Sequence, residues 1–302
     1  MTSRYFLGLL GHPLGHSYSP LIHHDLLELA GLKGEYKLFD YTLEQLETGA
    51  ISSMLMSGVH GFNVTIPYKV LLHDKLPALT PAAKRVGAVN TVFRVDVDNE
   101  ITLIGHNTDS TGFYKSLTPQ TQETLEAGHA IVLGGGGSAR AVLAAMIFEG
   151  KTPVQKITLV MRHPEKANDL KLAFSEWVKD AHTSTTLEVI HSDALDATRL
   201  ASVDVLVNCT PVGMHPDVNA TPLSLLQVEA LNPNAHVVDL IYNPSETVLM
   251  KLARDHGCPV VQNGLGMLIH QAIEAFSTWT KLPAEAGWYE SIEARLQKKF
   301  KT

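Results

Sequence analysis

The sequence predicts an α/β protein of two domains, and three observations support that prediction. Segments typical of strands and of helices alternate along the chain, an order that produces sheets covered by helices. A glycine-rich loop joins a strand to a helix near the middle of the chain, where a second α/β run begins. The chain has 302 residues, of which 45% are hydrophobic and 18% charged, which suits two folded cores.

The first third of the chain carries an α/β pattern of its own. Strands are predicted at 5–11, 35–41 and 61–66, and helices at 20–30 and 43–57. Ser19 is expected to cap the first helix, because serine before proline is a common helix start, and Gly31 follows its end. A further helix is predicted to begin at Thr80 and Pro81 by the same reasoning.

A hairpin is predicted next, since two strand patterns flank a turn-rich stretch. The strands are 91–95 and 101–105, and the stretch between them runs from Asp96 to Glu100.

The middle of the chain predicts a second sheet. Its strands are expected at 129–134, 156–161, 187–190, 203–209, 236–241 and 259–262, with helices between most of them. Strands joined through helices form parallel, right-handed crossovers. The stretch 265–300 is predicted to be helical.

The glycine-rich loop is the strongest local signal for a cofactor. An apolar strand from Ala130 to Leu133 is followed by Gly134, Gly135, Gly136, Gly137 and Ser138, and then by a helix to about Phe148. Glycines let the backbone approach a pyrophosphate closely, and the start of the helix offers N–H groups to it. A plain glycine-rich turn would give the same letters, but the strand before and the helix after favour a dinucleotide site of the Rossmann type.

The end of the second strand of this run bears on the choice between NADP and NAD. Arg162 follows the strand, with Lys166 nearby, and cations suit the 2′-phosphate of NADP. Glu165 is the alternative, because a carboxylate there could bind the unphosphorylated ribose of NAD. All three side chains could also be solvated charges at a helix start. NADP is therefore the predicted cofactor, with NAD possible.

Charge and composition limit the functional classes. The net charge is −7, which does not favour nucleic acid as a partner. The apolar run from Tyr5 to Gly11 is too short for a signal sequence or a membrane span, so no membrane association is expected. The two cysteines, Cys209 and Cys258, indicate reduced thiols in a cytoplasmic protein.

A metal site is not expected, because the N-terminal histidines match no ligand pattern. Those histidines are His12, His16, His23 and His24.

Polar residues in the front domain cluster at the ends of predicted elements. Asn63 and Thr65 would share one face of a strand, and Lys69 follows just beyond it. Ser19 and Asp109 have a structural alternative as helix caps, whereas Ser17 has none. Taken singly, each of these residues is better explained by structure than by function.

Taken together, these motifs resemble those of the shikimate dehydrogenase family, in that family's order and over nearly the whole chain. The matching segments are Gly15–Pro20, Asn63–Lys69, Gly87–Thr91, Asn107–Asp109, Gly134–Arg140, Asn208–Met214, Asp239–Tyr242 and Gly264–Met267 with Gln271.

The resemblance implies a role for each matching position. Lys69 and Asp109 would be the catalytic pair. Ser17 and Ser19 would bind the carboxylate of the substrate, and its hydroxyls would contact Asn63, Thr65, Asn90 and Gln271, with Tyr242 also nearby. Gly134 to Ser138 would bind the pyrophosphate and Arg162 the 2′-phosphate, while the remaining cofactor contacts would be Thr210, Leu240, Gly264 and Met267. One departure is that Met161-Arg162-His163 stands where NADP-specific members usually carry Asn-Arg-Thr.

The resemblance also implies an activity and a domain plan. The protein would reduce 3-dehydroshikimate to shikimate with NADPH, reversibly, in chorismate and aromatic amino acid biosynthesis, as a monomer or homodimer. Its domains would be a substrate domain at 1–109, a Rossmann domain at 110–263, and C-terminal helices at 264–302 that return to the substrate domain.

Three alternatives remain open. They are an NAD-dependent quinate/shikimate dehydrogenase, a two-domain enzyme such as a methylene-tetrahydrofolate dehydrogenase, and a non-catalytic sensor of the same ligands. The presence of both Lys69 and Asp109 argues against the sensor, because binding alone needs no proton donor.

Overall fold

A computed structural model describes residues 4–15, 17–97 and 100–300. His16, and the residues at 98 and 99 in the predicted hairpin turn, lie outside these ranges. Contacts divide the chain into two units, one formed by Met1–Gly112 with Ile269–Thr302 and the other by Phe113–Leu268.

The strands run in chain order as follows: β1 Tyr5–Gly11, β2 Gly34–Asp40, β3 Gly61–Val64, β4 Ala78–Leu79, β5 Thr91–Val97, β6 Glu100–His106, β7 His129–Leu133, β8 Lys156–Met161, β9 Thr186–His191, β10 Val205–Asn208, β11 His236–Asp239 and β12 Val260–Gln262. The α-helices are α1 Ser19–Leu29, α2 Leu43–Glu47, α3 Ala50–Met56, α4 Lys69–Lys75, α5 Pro81–Val86, α6 Asp109–Ser116, α7 Pro119–Leu125, α8 Gly137–Phe148, α9 Asn168–Asp180, α10 Ala197–Ala201, α11 Leu225–Glu229, α12 Val248–His256, α13 Leu265–Thr280 and α14 Trp288–Phe300.

The first unit is built on a mixed six-stranded sheet in the order β2-β1-β3-β5-β6-β4. β1 pairs in parallel with β2 and β3, whereas β3 with β5 and β5 with β6 are antiparallel. Every residue of β3 is buried, because the strand lies inside the sheet and is covered on both faces. One apolar cluster on this sheet includes Leu10, Met54, Phe62, Leu72, Val89 and Val92.

The second unit is built on a six-stranded parallel sheet in the order β12-β11-β10-β7-β8-β9. All five strand pairings in this sheet are parallel. β7, β10 and β11 are buried throughout, as expected for central strands covered by helices on both sides. This is the doubly wound arrangement of a Rossmann domain, with the order reversing between β7 and β10. The prediction of an α/β fold is therefore confirmed.

Three local expectations differ from the structure. The helix predicted at 43–57 is two helices, since Gly49 adopts φ 104° between them, a conformation that favours glycine. The helical stretch predicted at 265–300 is interrupted after α13, where Lys281 has φ 61°. The strand β4 is not among the predicted elements. It has two residues, and both pair with β6.

The start of α1 corrects a further expectation. The cap position is Tyr18, and Ser19 is the first residue of the helix, so the prediction that Ser19 caps it is wrong. By contrast, Thr80 caps α5 as predicted, its Oγ1 accepting from the N–H of Ala83 at 3.3 Å.

Within the described ranges, no helix combines the length and apolar character needed to cross a bilayer. The described residues also include no group of three or more metal-ligating side chains placed to hold an ion.

Candidate active site

The first unit contains an ion pair between Lys69 and Asp109, the two residues predicted to be catalytic. Lys69 Nζ lies 2.6 Å from Asp109 Oδ2, and the two side chains are 16% and 5% exposed. Lys69 is the first residue of α4, directly after Tyr68, whose buried hydroxyl donates to the carbonyl of Tyr41 at 2.7 Å. The pair is therefore held mostly out of water while the ammonium keeps some access to solvent.

Asp109 is oriented by the chain that precedes it. It is the first residue of α6, and Asn107 Oδ1 accepts from its N–H at 3.0 Å and from that of Ser110 at 3.4 Å. The alternative that Asp109 caps this helix is wrong, because the side chain of Asn107 fills that role. The carboxylate of Asp109 is left to face Lys69.

Asn90 contacts the same carboxylate from the other side. Its Nδ2 donates to Asp109 Oδ1 at 2.8 Å and lies 3.4 Å from Gln271 Oε1. Its Oδ1 accepts from the N–H of Thr108 at 2.8 Å. Gln271 approaches closely because Gly112 has no side chain: a Cβ there would lie 2.8 Å from the Gln271 nitrogen. Four of the predicted residues are thus brought together by segments far apart in the sequence.

Asn63 lies behind this group, and each of its polar atoms has partners within the chain. Its Oδ1 accepts from His23 Nε2 at 3.0 Å and from the hydroxyl of Tyr36 at 2.8 Å. Its Nδ2 donates to the carbonyl of Asn90 and to Thr91 Oγ1, both at 3.2 Å. Asn63 is only 5% exposed.

His23 and Tyr36 form a buried pair that the sequence did not single out. Their rings stack with centroids 4.3 Å apart, and Trp279 packs against both. Burial lowers the pKa of His23 from 6.5 to about 3 and outweighs the opposing hydrogen bond to Asn63. Burial also raises the pKa of Tyr36, partly offset by a hydrogen bond with the side chain of Ser19. The network therefore extends to the start of α1.

The remaining polar residues of this unit lie at element ends. Ser17 Oγ accepts from the N–H of Ser19 at 3.2 Å, so the expectation that Ser17 has no structural role is wrong. The strand that carries Asn63 is shorter than the predicted 61–66, because β3 ends at Val64. Thr65 follows it and lies against Gly11, where a Cβ would collide with its Cγ2.

The glycine-rich loop of the second unit fits the binding of a pyrophosphate. Gly134 has φ 100°, and its N–H donates to the carbonyl of Val160 at 2.8 Å, which turns the chain sharply after β7. Gly136 caps α8 without any side-chain hydrogen bond, and a Cβ there would meet nothing within 4 Å. The start of α8 thus combines open space with N–H groups that no side chain caps.

Charged residues follow β8 beside this loop. Arg162 comes directly after the strand, and Lys166 lies in the 3₁₀ turn Pro164–Ala167. Glu165 Oε1 lies 3.1 Å from His163 Nδ1. A hydrogen bond from its own main-chain N–H and the neighbouring His163 lower the pKa of Glu165.

The other predicted cofactor residues follow β10, β11 and β12. Thr210 donates from its N–H and Oγ1 to Asn208 Oδ1, at 3.0 and 2.7 Å. Gly264 packs so tightly on the backbone of Leu240 that any side chain would collide with it. Met267 is buried near the start of α13, and Tyr242 follows β11 in a half-buried position.

Family models match both ends of the chain. Residues 9–92 match the shikimate dehydrogenase substrate binding domain, and residues 264–287 match the shikimate 5′-dehydrogenase C-terminal domain.

Similar proteins cover almost the whole chain. A shikimate dehydrogenase (NADP(+)) of Caldanaerobacter subterraneus is 38% identical over 279 residues, 92% of each chain. A crystal structure of a chorismate mutase/shikimate 5-dehydrogenase fusion protein from Clostridium acetobutylicum has a TM-score of 0.82 at 33% identity, covering 99% of this chain and 100% of that one. Quinate dehydrogenase from Corynebacterium glutamicum in complex with NAD has a TM-score of 0.80 at 28% identity, covering 97% and 100%. The chain therefore belongs to the shikimate dehydrogenase family of oxidoreductases.

Proposed function

We propose that this protein catalyses the reversible NADPH-dependent reduction of 3-dehydroshikimate to shikimate, in chorismate and aromatic amino acid biosynthesis. The observation that carries the proposal is the buried ion pair between Lys69 and Asp109, set in a chain that matches shikimate dehydrogenases over 92% of its length. A proton donor next to a carboxylate is what reduction of a ketone to an alcohol requires of the protein.

The chemistry assigned to the chain is the handling of one proton. NADPH supplies the hydride when bound. As negative charge develops on the ketone oxygen, the ammonium of Lys69 stabilises it and donates the proton. Asp109 holds that ammonium in place at 2.6 Å. In the oxidation direction, the neutral amine of Lys69 accepts the proton of the shikimate hydroxyl.

We assign substrate binding to the first unit. Ser17 and Ser19, at the start of α1, bind the carboxylate, because the first turn of a helix favours an anion. Asn90 and Gln271, which lie beside Asp109, bind ring hydroxyls. Thr65, which follows β3, completes the substrate contacts of this unit.

We assign the cofactor to the second unit. Gly134 to Ser138 bind the pyrophosphate, supported by the open, uncapped start of α8. Arg162 and Lys166 bind the 2′-phosphate, since a guanidinium can bind phosphate in a bidentate manner. Thr210, Leu240, Gly264 and Met267 line the adenosine and nicotinamide sides.

A second candidate is an NAD-dependent quinate/shikimate dehydrogenase. The observation that favours it is the turn after β8, where His163 and Glu165 pair with each other just after Arg162. The residues around Arg162 therefore differ from the Asn-Arg-Thr that NADP-specific members usually carry. The Glu165 carboxylate could also accept a hydrogen bond from the ribose 2′-hydroxyl of NAD.

A kinetic matrix separates these candidates. Shikimate and quinate are each assayed with NADP⁺ and with NAD⁺, and kcat/KM is compared. The proposal expects the highest value for shikimate with NADP⁺. A higher value for quinate with NAD⁺ would favour the second candidate, and ligand binding without turnover in any combination would indicate a sensor.

The assembly and compartment remain predictions: a monomer or homodimer in the cytoplasm. Sedimentation equilibrium over a range of concentrations decides between the two assemblies.

A further inference from the structure

A continuous chain of hydrogen bonds links the interior of the first unit to the Lys69–Asp109 pair. It begins at His23 and Tyr36, passes through Asn63 and Thr91, and reaches the amide of Asn90. The residues from His23 to Asn90 are all less than 6% exposed. Each donor and acceptor in it therefore depends on its neighbours in the chain rather than on water.

The direction of each bond in the first half follows from its partners. Asn63 Nδ2 faces the carbonyl of Asn90 at 3.2 Å, and a carbonyl can only accept. Asn63 Oδ1 must therefore face His23 and Tyr36, and both must donate to it. His23 then carries its proton on Nε2, which agrees with the lack of a hydrogen-bond partner at its buried Nδ1. All four hydrogen-bonding positions of the Asn63 amide are then used.

The direction continues through Thr91 to the carboxylate. Thr91 Oγ1 accepts from Asn63 Nδ2, and its hydroxyl donates onward to Asn90 Oδ1 at 3.0 Å, because an amide oxygen can only accept. The N–H of Thr108 also donates to that oxygen. Both donors turn the Asn90 Nδ2 toward Asp109 Oδ1, at 2.8 Å. A donor on the amide oxygen also polarises the amide and strengthens the bond that its nitrogen makes.

We propose that Asn63 and Thr91 are positioning residues, which hold the Asn90 amide against Asp109 and so set the orientation of the catalytic pair. This inference rests on the proposed function, because it assumes that Lys69 and Asp109 handle the proton. It assigns Asn63 a role behind the site instead of a contact with a substrate hydroxyl, since its amide has no hydrogen-bonding position left to offer.

Thr91→Val tests the proposal, because valine keeps the shape of threonine and removes only the hydroxyl. Loss of the two hydrogen bonds that Thr91 Oγ1 makes in the chain, with Asn63 and with Asn90, should lower kcat about three- to tenfold and leave the KM for shikimate within about twofold. Thr91→Ser keeps the hydroxyl and should restore the wild-type kcat.

Thr280→Val is the matched control. Thr280 is also buried, and its Oγ1 donates to the carbonyl of Phe276 at 2.8 Å, away from the network. It should leave kcat and the KM for shikimate unchanged, even if the melting temperature falls. A Thr91→Val enzyme with the wild-type kcat would overturn the proposal, as would a Thr280→Val enzyme with the same fall in kcat.

Tyr36→Phe provides a second measurement if Thr91→Val does not fold. It removes one of the two donors to Asn63 Oδ1 and leaves that of His23, so it should lower kcat by a smaller factor than Thr91→Val does. An unchanged kcat in this variant counts against the proposal. Failure of the proposed function is distinct: the wild-type protein itself would then fail to oxidise shikimate, whatever the variants do.

Discussion

His23 should make the first unit less stable as the pH falls below neutral. Its pKa is lowered from 6.5 to about 3, first by burial and further by the nearby charge of His24, while its hydrogen bond to Asn63 opposes the shift. The unfolded chain takes up a proton at about pH 6.5, whereas the folded chain does not, so stability is complete above that pH and declines below it. At about 1.4 kcal/mol per pH unit, the loss between pH 7 and pH 5 is about 2 kcal/mol.

Native-state hydrogen exchange measures this loss in the unit concerned. His23→Gln is the comparison, because glutamine can still donate to Asn63 but does not titrate. The opening free energies of amides in α1 and β2, corrected for intrinsic exchange rates, are compared at pH 7 and pH 5. Between pH 7 and pH 5, the opening free energy of the wild type should fall by about 2 kcal/mol relative to that of the variant. If the difference in opening free energy between wild type and variant is the same at both pH values, the assignment of a neutral, buried His23 is refuted.

Three further predictions concern the two sites. Lys69→Met removes the ammonium, so kcat should fall about 10²–10⁴-fold with little change in shikimate binding by calorimetry; a rise in KM alone would assign Lys69 to binding. Arg162→Ala removes bonds worth about 1.5–3 kcal/mol, so the Kd of NADP⁺ should rise about ten- to a hundredfold, while the Kd of NAD⁺ should hardly change. If Glu165→Ala instead weakens the binding of NAD⁺ alone, the cofactor assignment is reversed. Gly136→Ala should leave the melting temperature unchanged, since a Cβ there meets nothing, but weaken both cofactors by about tenfold or more; unchanged affinities would move the pyrophosphate elsewhere.

Most of the fold could be predicted because it depends on local patterns. The buried central strands of the parallel sheet are short apolar runs between turns, and β7 with the loop after it has a motif of its own. The errors arose where a single backbone angle or a short pairing decides the outcome. Gly49 divides a helix by adopting a positive φ, and β4 exists only because two of its residues pair with a distant strand.

In the candidate site, too, some residues could be predicted from local sequence patterns and others could not. Lys69, Asn90 and Asp109 lie in short motifs, and the structure brings them into contact. The supporting residues carry no such signal: a histidine in a helix and a tyrosine in a strand are ordinary until the fold stacks them. His23 and Tyr36 are separated in sequence from Asn63 by 40 and 27 residues, so only the folded sheet shows that they share one amide oxygen.

The register of the central strands explains why this polar chain can serve catalysis. Asn63 and Thr91 are directly opposite in the antiparallel pair of β3 and β5, so their side chains share one face of the sheet. Slipping this pair by one residue would move Thr91 to the other face and break the chain at its middle. The geometry of Asn90, which immediately precedes β5, is therefore tied to backbone hydrogen bonds rather than to a loop. Catalytic positions need to be held to about half an ångström, and a buried, paired strand can provide that precision.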